Sequence, residues 1–384
     1  MIGKLRRSGK RGALKAAAII GILLLAGCAT VPEKREGPMR LVWPPPPLEA
    51  RIEFVRSIVS DEDVGRDTTL SQKLINFLAG EKVTPNRIVE PMGVAVSDNG
   101  QRLYVSDARQ LSVFIFDFDR KTFTRIGEQE RLGRPIGVAL DSQEQLYVVE
   151  QAKKGVSVFD QQGKRLRFIS HPSIERPTGI AIDRTQGRIY LADTGRNASE
   201  DHTIKVLNME GELVGTIGQG KGDEPGQFLF PTYLAVDQNG NLYVTDTLNS
   251  RVQVFDAQGK YVKKIGERGN SWGMFDKPKG VALDSLGNVY VVDSGWSNVQ
   301  IFNQKGQILL FFGGRGPIPG MLKNPTAIAI DKKNRIYVAD YLNHRVEMYQ
   351  LVNTTAEDSF QDPVPEPKGG DSALKRGTAV SRSQ

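Results

Sequence analysis

The stretch Pro231-Thr-Tyr-Leu-Ala-Val-Asp237 is one of six copies of a motif in which a proline precedes a short apolar strand. The other copies begin at Pro91, Pro135, Pro177, Pro278 and Pro325. Their starts are separated by 42 to 54 residues, and each copy continues into further segments rich in Val, Ile, Tyr and Phe. Self-similarity at this spacing indicates a repeat architecture with one supersecondary unit in each copy.

The copy that begins at Pro231 shows what one unit contains. Asn241–Asp246 predicts a second strand, Arg251–Phe255 a third, and Lys260–Ile265 a fourth after a glycine turn. Four short strands separated by Gly, Asn and Asp are typical of a propeller blade. A helical solenoid would need a 3.6-residue period, which is absent, and parallel strands would need longer connections. The sequence therefore predicts an all-β, six-bladed β-propeller of four-stranded antiparallel blades.

The repeated residues resemble the NHL-repeat family of six-bladed β-propellers. The resemblance covers roughly Ile88 to Leu351, and Asn241–Phe255 is its most regular part. Blade two departs from the pattern because Glu150 replaces an aspartate, and blade three carries an insertion from Thr194 to His202. Propellers with this pattern commonly serve as interaction platforms, so the resemblance implies a binding role.

The sixth blade ends after three strands, near Leu351, and an open sheet edge is a liability. The segment Phe54–Ile58 matches fourth strands such as Tyr261–Ile265. We predict that Arg51–Ile58 pairs with Arg345–Tyr349 and closes the ring. The propeller domain is then 51–351, with a closing strand at 51–58 and an inserted connection at 60–88.

Both ends of the chain differ from the propeller in composition. Residues 1–27 carry six basic residues and no acid, and the apolar run Ala16–Gly27 is too short to span a bilayer, which is typical of a secretory signal. The run ends in Leu25-Ala26-Gly27-Cys28, which resembles the bacterial lipobox. We expect a lipoprotein signal peptide at 1–27, a lipidated Cys28 with a Pro-rich spacer over 28–50, and a disordered tail at 352–384.

Lipobox cleavage has consequences for location and charge. By resemblance to Gram-negative lipoproteins, Ala29 after the cysteine implies the outer membrane, on its periplasmic or surface side. Removing the six basic residues takes the formal net charge from +7 to +7 − 6 = +1. We therefore expect a membrane contact through the lipid and no nucleic-acid partner.

The sequence offers few metal ligands. Cys28 is the only cysteine, which excludes a disulfide framework and a cysteine-ligated metal. The histidines are His171, His202 and His344, in different repeats. Acids end the second strands at Asp107, Glu150, Asp193, Asp246, Asp293 and Asp340. A calcium ring is one interpretation, but we favour carboxylates that accept backbone N–H bonds in nearby turns. No cofactor and no metal are expected.

Candidate binding residues lie in the loops that enter each blade and the loops between second and third strands, which share one face of a propeller. Two tryptophans with nearby arginines have the composition of a binding hot spot, although each tryptophan could simply pack on its own loop. The candidates are Trp272, Trp296, Arg268, Arg315, Asn249, Arg251, Tyr341, Asn343, His344, Arg345 and, at the channel mouth, Tyr233. Helical spacing over Leu70–Leu78 predicts a short helix, which is either a lid or docking helix on this face or a helix packed on the propeller.

Two classes of function follow. The favoured hypothesis is a non-enzymatic, lipid-anchored envelope protein, a monomeric propeller whose loops bind a protein or glycan. The alternative is a metal-dependent propeller enzyme, a lyase or lactonase-like hydrolase acting at the central channel, as in related six-bladed propellers. Such sites need several convergent His or acid ligands, and we therefore expect that the protein is not an enzyme.

Overall fold

The computed structural model describes residues 40–65, 85–196 and 199–360. The signal peptide, Cys28, the helix expected at Leu70–Leu78 and residues 361–384 of the expected tail lie outside these residues. Within the described part, no helix is long and apolar enough to cross a membrane.

The first three blades follow the predicted order of strands. Blade one contains β3 (Pro91–Val96), β4 (Arg102–Asp107), β5 (Ser112–Asp117) and β6 (Thr122–Ile126). Blade two contains β7 (Pro135–Leu140), β8 (Leu146–Glu150), β9 (Gly155–Phe159) and β10 (Arg165–Ser170). Blade three contains β11 (Pro177–Asp183), β12 (Arg188–Asp193), β13 (Thr203–Asn208) and β14 (Leu213–Ile217).

The last three blades repeat this arrangement. Blade four contains β15 (Pro231–Val236), β16 (Leu242–Asp246), β17 (Arg251–Phe255) and β18 (Tyr261–Ile265). Blade five contains β19 (Pro278–Leu283), β20 (Val289–Asp293), β21 (Asn298–Phe302) and β22 (Ile308–Gly313). Blade six contains β23 (Pro325–Ile330), β24 (Arg335–Asp340), β25 (Arg345–Leu351), β2 (Ile52–Ile58) and β1 (Val42–Trp43). Short 3₁₀ turns cover Asp61–Val64, Gln151–Lys153, Thr247–Asn249, Tyr341–Asn343 and Glu357–Phe360.

The six sheets form a closed ring, which confirms the predicted fold class. Each sheet is antiparallel, and the strand that begins with the repeated proline is innermost, which is the first strand in the chain in blades one to five and β23 in blade six. The innermost strands contact one another in ring order, and β23 of blade six contacts β3 of blade one. Loops that enter the blades and loops between second and third strands lie on one face, called here the loop face. The turns of the opposite face, the turn face, join first to second strands and third to fourth strands.

Ring closure by the N-terminal strand is confirmed. β2 pairs antiparallel with β25, with Ile52 opposite Leu351 and Ile58 opposite Val346. Both isoleucines are fully buried, so the strand supplies core as well as hydrogen bonds. Blade six also has a fifth strand, because β1 pairs with β2 and Trp43 packs edge-on against Tyr349 at 5.8 Å between ring centroids.

The structure modifies the expected boundaries of the spacer and the tail. The spacer was expected to extend over 28–50, yet Val42 and Trp43 are docked on blade six because the indole ring finds an aromatic surface there. Beyond β25, the backbone N–H of Val352 donates to Arg51 at 2.8 Å. Arg51 also forms an ion pair with Asp358 at 3.2 Å. Residues 352–358 thus hold the closing strand, within the range expected to be a tail.

Apolar residues three positions before each proline form part of the core between blades, as the repeats predict. All of them are at most 2% exposed: Ile88, Leu132, Ile174, Phe228, Phe275 and Leu322. Small residues in the innermost strands are required because those strands approach closely. A Cβ added to Gly93 would lie 2.2 Å from the backbone oxygen of Ile136 in blade two. Close packing around the axis therefore fixes glycine at this position.

Candidate functional site

Carboxylates at the ends of the second strands join each of these strands to the loop that enters the same blade. The Asp107 Oδ2 accepts the N–H of Val89 at 2.7 Å, and the Asp293 Oδ2 accepts that of Asp276 at 2.8 Å. The same bonds to entering loops are made by Glu150, Asp193, Asp246 and Asp340. This is the structural role predicted for the repeated acids. Among the described residues, no three His, Cys, Asp or Glu side chains are grouped as metal ligands.

For four of these carboxylates, burial affects the pKa more than their hydrogen bonds do. It raises the pKa of Asp193, Asp246 and Asp293, and raises the pKa of Asp340 to about 6. Blade two has a longer acid at this position, and two cations neutralise its buried charge. The Glu150 carboxylate forms ion pairs with Lys153 at 2.9 Å and with Arg165 at 3.2 Å. The replacement of aspartate by glutamate in this blade is therefore structurally compensated.

Asn249 and Arg251 were predicted to bind a partner. In the structure, both donate hydrogen bonds to the loop that enters their own blade. The Asn249 amide donates to the Gly222 oxygen and to Asp246, both at 2.8 Å. Arg251 donates to the backbone oxygens of Asp223, Glu224 and Gln227 and pairs with Asp246. Their polar groups are used inside the protein, so they are positioning residues for that loop.

Asn343 and Arg345 of blade six behave in the same way. Asn343 donates to the Gly316 oxygen at 2.9 Å and to Asp340 at 2.6 Å. Arg345 is 8% exposed and donates to the backbone oxygens of Pro317, Ile318 and Met321 at 2.8 to 3.0 Å. It also forms an ion pair with Glu347 at 2.7 Å. Arg345 is consequently part of the fold and not of an accessible surface.

Tyr233 was predicted at the channel mouth and instead crosses the channel. It occupies the position where blades one, two, three and five have glycine. Its hydroxyl donates to the Met92 oxygen of blade one at 2.6 Å. Burial raises its pKa far above the ordinary value. The side chain thus spans the channel from blade four to blade one, and its hydroxyl is bonded inside the protein.

The two tryptophans of blade five have different environments. Trp272 is half-buried and packs edge-on against Phe311, with ring centroids 4.8 Å apart. Trp296 follows β20 and is 43% exposed. It stands at the position of Asn249 and Asn343 in the neighbouring blades, where an asparagine braces the loop. Packing on its own blade therefore describes Trp272, and Trp296 remains available to a partner.

The remaining predicted residues lie in other loops of the same face. Arg268 and Arg315 are exposed, and each donates one bond to the preceding loop, to the Leu248 oxygen at 2.5 Å and to the Gly295 oxygen at 2.8 Å. Tyr341 is half-buried, whereas His344 is exposed and its Nδ1 contacts the Val89 oxygen. Arg268 and Arg315 lie in the loops that enter blades five and six, and Tyr341 and His344 lie in the second-to-third-strand loop of blade six.

Three exposed apolar side chains in the same loops were missed by the sequence analysis. They are Leu248, Ile318 and Leu342, which are 38%, 59% and 42% exposed. An apolar residue inside an otherwise polar loop was the available signal. With Trp296, Arg268 and Arg315 they form a surface that we call the loop platform. Its mixture of large apolar groups and arginines is typical of protein interfaces.

Lys279 is a second residue that the sequence analysis missed. It lies in β19, at the loop-face end of the channel wall, where other blades have Met, Ile or Thr. Its Nζ donates to the Asn324 Oδ1 at 3.4 Å. Burial lowers the pKa of Lys279 to about 8, and the charge of Lys277 adds to this effect. An amine with such a pKa is suited to take up a proton near neutral pH.

Two family models match successive halves of the ring. A model described as SMP-30/Gluconolactonase/LRE-like region matches residues 60–193, and the NHL repeat model matches 228–255, 275–302 and 322–347. The first match covers blades one and two and the first two strands of blade three, and the second lies in blades four to six. The observed blades explain both matches, because each unit has the same four strands.

Curated relatives include both a repeat protein and an enzyme. NHL repeat-containing protein 3 of Mus musculus is 30% identical over 149 residues, which is 36% of this chain and 42% of that protein. The probable peptidyl-alpha-hydroxyglycine alpha-amidating lyase of Caenorhabditis elegans is 27% identical over 176 residues, 45% of this chain and 43% of the lyase. The chain therefore spans less than half the length of these relatives.

Solved structures share the fold at low sequence identity. A streptogramin B lyase has a TM-score of 0.52 and 12% identity, covering 69% of this chain and 94% of that one. A gluconolactonase from Xanthomonas campestris has a TM-score of 0.54 and 17% identity, covering 78% of this chain and 98% of that one. At such identities the similarity concerns the propeller and not the chemistry.

These comparisons contradict our expectation that the protein is not an enzyme. The matching SGL model and the amidating lyase among the curated relatives both point to enzymatic relatives. The expectation was wrong because it treated NHL repeats as evidence of a platform only. The channel wall also lacks the grouped ligands that a metal-dependent site needs, within the part of the chain that is described. The chain is a six-bladed β-propeller that matches the SGL model over residues 60–193 and carries NHL repeats in blades four to six.

Proposed function

We propose that the loop platform binds a protein partner in the bacterial envelope, where the chain is anchored by lipid at Cys28. The observation that carries the proposal is the row of exposed apolar side chains and arginines on three adjacent blades. Hydrogen bonds join the neighbouring loops, because Arg268 reaches the Leu248 loop and Arg315 reaches the Trp296 loop. The platform is thus held in place before a partner arrives, which lowers the entropy cost of binding.

The charge of the platform indicates the kind of partner. Arg268 and Arg315 are joined by the exposed side chains of Lys277 and Lys323, which lie in the same entering loops. Trp296 supplies an apolar anchor near the arginines. We therefore propose a partner whose surface offers acidic side chains around an apolar pocket. The envelope location rests on the lipobox sequence and on Ala29.

Replacing Trp296 and Arg315 together is expected to weaken partner binding at least about thirtyfold, as loss of a hot spot does. A photo-crosslinking residue at position 296, compared with one at Lys305 on the turn face, first identifies the partner in envelope membranes. Binding of the purified partner is then measured by calorimetry for the full chain, for Trp296→Ala/Arg315→Ala and for Val214→Ala.

Two further variants test the proposal: one is a control for binding, and the other removes the lipid anchor. Val214 is 56% exposed on the outer strand of blade three, so Val214→Ala should bind like the full chain. Cys28→Ser should move the protein from the membrane fraction to the soluble fraction of the same cells. Equal binding by the platform variant and the control, or an unchanged membrane fraction, would refute the corresponding part of the proposal.

A second candidate function is catalysis of the type named for the relatives, and Lys279 favours it. We propose that Lys279 acts as a general base toward a small lactone, or toward a substrate that undergoes elimination, at the loop-face end of the channel. Only the neutral amine accepts a proton. Because the pKa is about 8, kcat/KM should rise with pH and level off above that value.

Lys279→Met is expected to lower kcat/KM about a hundredfold or more. The assay is release of acid from a panel of lactones, together with a panel of elimination substrates, at pH 6 to 10. Lys277→Met is the matched control: it keeps the base but removes the neighbouring charge, so it should shift the inflection upward in pH with little loss at high pH. Activity unchanged in Lys279→Met, or no turnover of any panel member by the full chain, would contradict this function.

A further inference from the structure

One position in the third strands carries a buried acid in blade six, where the two preceding blades have an amide. The third residue of these strands is Gln253 in blade four, Gln300 in blade five and Glu347 in blade six. All three residues are at most 4% exposed. Blade six is also the blade that β2 completes, so the acid lies where the ring closes.

The glutamines of blades four and five bind the loop that enters their blade through both ends of the amide. The Gln253 Oε1 accepts the N–H of Gly226 at 2.9 Å, and its Nε2 donates to the Gln227 oxygen at 2.7 Å. Gln300 makes the same two bonds, at 3.0 and 2.8 Å, to the corresponding loop of blade five. A neutral group with an acceptor and a donor therefore satisfies this buried position.

Glu347 keeps the acceptor bond and gains a contact with the closing strand. Its Oε1 accepts the N–H of Gly320 at 3.0 Å, in the loop that enters blade six. Its Oε2 accepts the hydroxyl of Ser57 in β2 at 2.6 Å. Ser57 and Glu347 also lie opposite each other in the pairing of β2 with β25. One carboxyl group therefore joins the strand that closes the ring to a loop of the loop face.

The charged groups around Glu347 act in opposite directions. Arg345, on the same strand, lies 2.7 Å from Oε1 as an ion pair, but its Nε donates no hydrogen bond. The charge of Asp340, at the end of β24, repels that of Glu347. Tyr349 is buried on the same strand, and the charge of Glu347 contributes to its raised pKa. β2 and the entering loop face the carboxyl group with the two uncharged donors described above.

Burial outweighs the favourable contacts and raises the pKa of Glu347 to about 7, from an ordinary value of 4.5. The side chain therefore keeps its proton in the closed structure at pH values where it would be ionised in water. Proton binding to the folded form stabilises it. This stabilisation is complete below about pH 4.5 and is lost as the pH rises through 7.

We infer that Glu347 is a pH-sensitive switch in the ring closure, whose neutral form holds β2 and the loop into blade six more firmly than its ionised form. The neutral carboxyl group resembles the amide of blades four and five, because it has both an acceptor oxygen and an O–H donor. The ionised group places a charge in a buried position, and water reaches that charge only when the strand or the loop moves away. The switch does not depend on what the loop platform binds or on the role of Lys279.

Hydrogen exchange of the full chain measures the effect on the closing strand. Peptides over Ile52–Ile58 report on β2, and peptides over Tyr261–Ile265 report on β18, which pairs with the strand that carries Gln253. After correction for the intrinsic exchange rate, the opening constant of β2 is expected to increase about tenfold between pH 6 and pH 8.5. That of β18 should change less than about twofold. An unchanged β2, or equal changes in both strands, would overturn the inference.

Glu347→Gln should abolish the pH dependence of β2, because an amide does not titrate. At pH 8.5 this variant should protect β2 as well as the full chain does at pH 6. The matched control is Glu267→Gln, which removes an exposed glutamate paired with Lys264 and should keep the about tenfold change. Full pH dependence in Glu347→Gln, or its loss in Glu267→Gln, would contradict the role of Glu347.

Ser57→Ala tests the link between the carboxyl group and the strand. Ser57 is half-buried, so the variant should fold. Its loss should raise the opening constant of β2 at pH 6 at least about threefold, whereas the peptide that contains Gly320 should keep its pH response. An unchanged β2 in Ser57→Ala would overturn the inference. This variant and the comparison of β2 with β18 still decide the question if Glu347→Gln does not fold.

Discussion

The chain that lacks residues 50–59 is expected to unfold at least about 10 °C below the full chain. The deletion removes β2, with its fully buried Ile52 and Ile58 and its pairing with β25. Burial of each isoleucine stabilises by about 1.5–3 kcal/mol, and several backbone bonds of the ladder are lost as well. The deletion also removes the partner of β1 and opens the ring at blade six. Thermal unfolding followed by circular dichroism measures the effect.

Two comparisons separate loss of the strand from general damage. Ile58→Ala should cost about 2–5 kcal/mol, because it leaves a cavity in the core. Val55→Ala in the same strand should cost less than about 0.5 kcal/mol, since Val55 is 46% exposed. A synthetic peptide of residues 41–59 should restore much of the stability of the shortened chain. An unchanged unfolding temperature after the deletion would refute closure by this strand.

Arg345→Met is expected to destabilise the protein by about 3–5 kcal/mol. The guanidinium is buried, holds three backbone oxygens of the loop into blade six and pairs with Glu347. Burial raises the pKa of Glu347 to about 7, which shows how costly its charge already is. Without the cation, Asp340 and Glu347 would face each other unpaired in the core. Denaturant titration at pH 8, where both acids would otherwise be charged, gives the free energy of unfolding.

The control for this variant is Arg268→Met, in the loop that enters blade five. Arg268 is exposed and makes one bond to a loop oxygen, so its loss should cost about 1 kcal/mol or less. Arg345→Lys should not restore full stability, because an ammonium group cannot donate to all the oxygens that the planar guanidinium reaches. A cost below 1 kcal/mol for Arg345→Met would show that the buried network does not hold the loop.

Whether the role of a residue could be predicted from the sequence depends on how far away in the chain its hydrogen-bonding partners lie. The apolar positions before each proline and the acids after each second strand were assigned correctly from their repetition. Their partners lie within about one repeat, as with Asp107 and Val89. The same repetition placed Asn249 and Arg251 on a binding surface, because a polar loop residue looks accessible. Only coordinates reveal that both are bonded to an entering loop more than 20 residues earlier.

The sequence by itself determined the repeated unit, the number of blades and the strand that closes the ring, because these follow from local strand patterns and turn residues that recur at a fixed period. Only the tertiary structure shows which residues of different blades meet at the channel. Tyr233 reaches Met92, Arg184 reaches Asp98, and Lys332 reaches the same Asp98 from blade six. These contacts join residues 86 to 234 positions apart, and they exist only because the closed ring brings all six innermost strands to one axis.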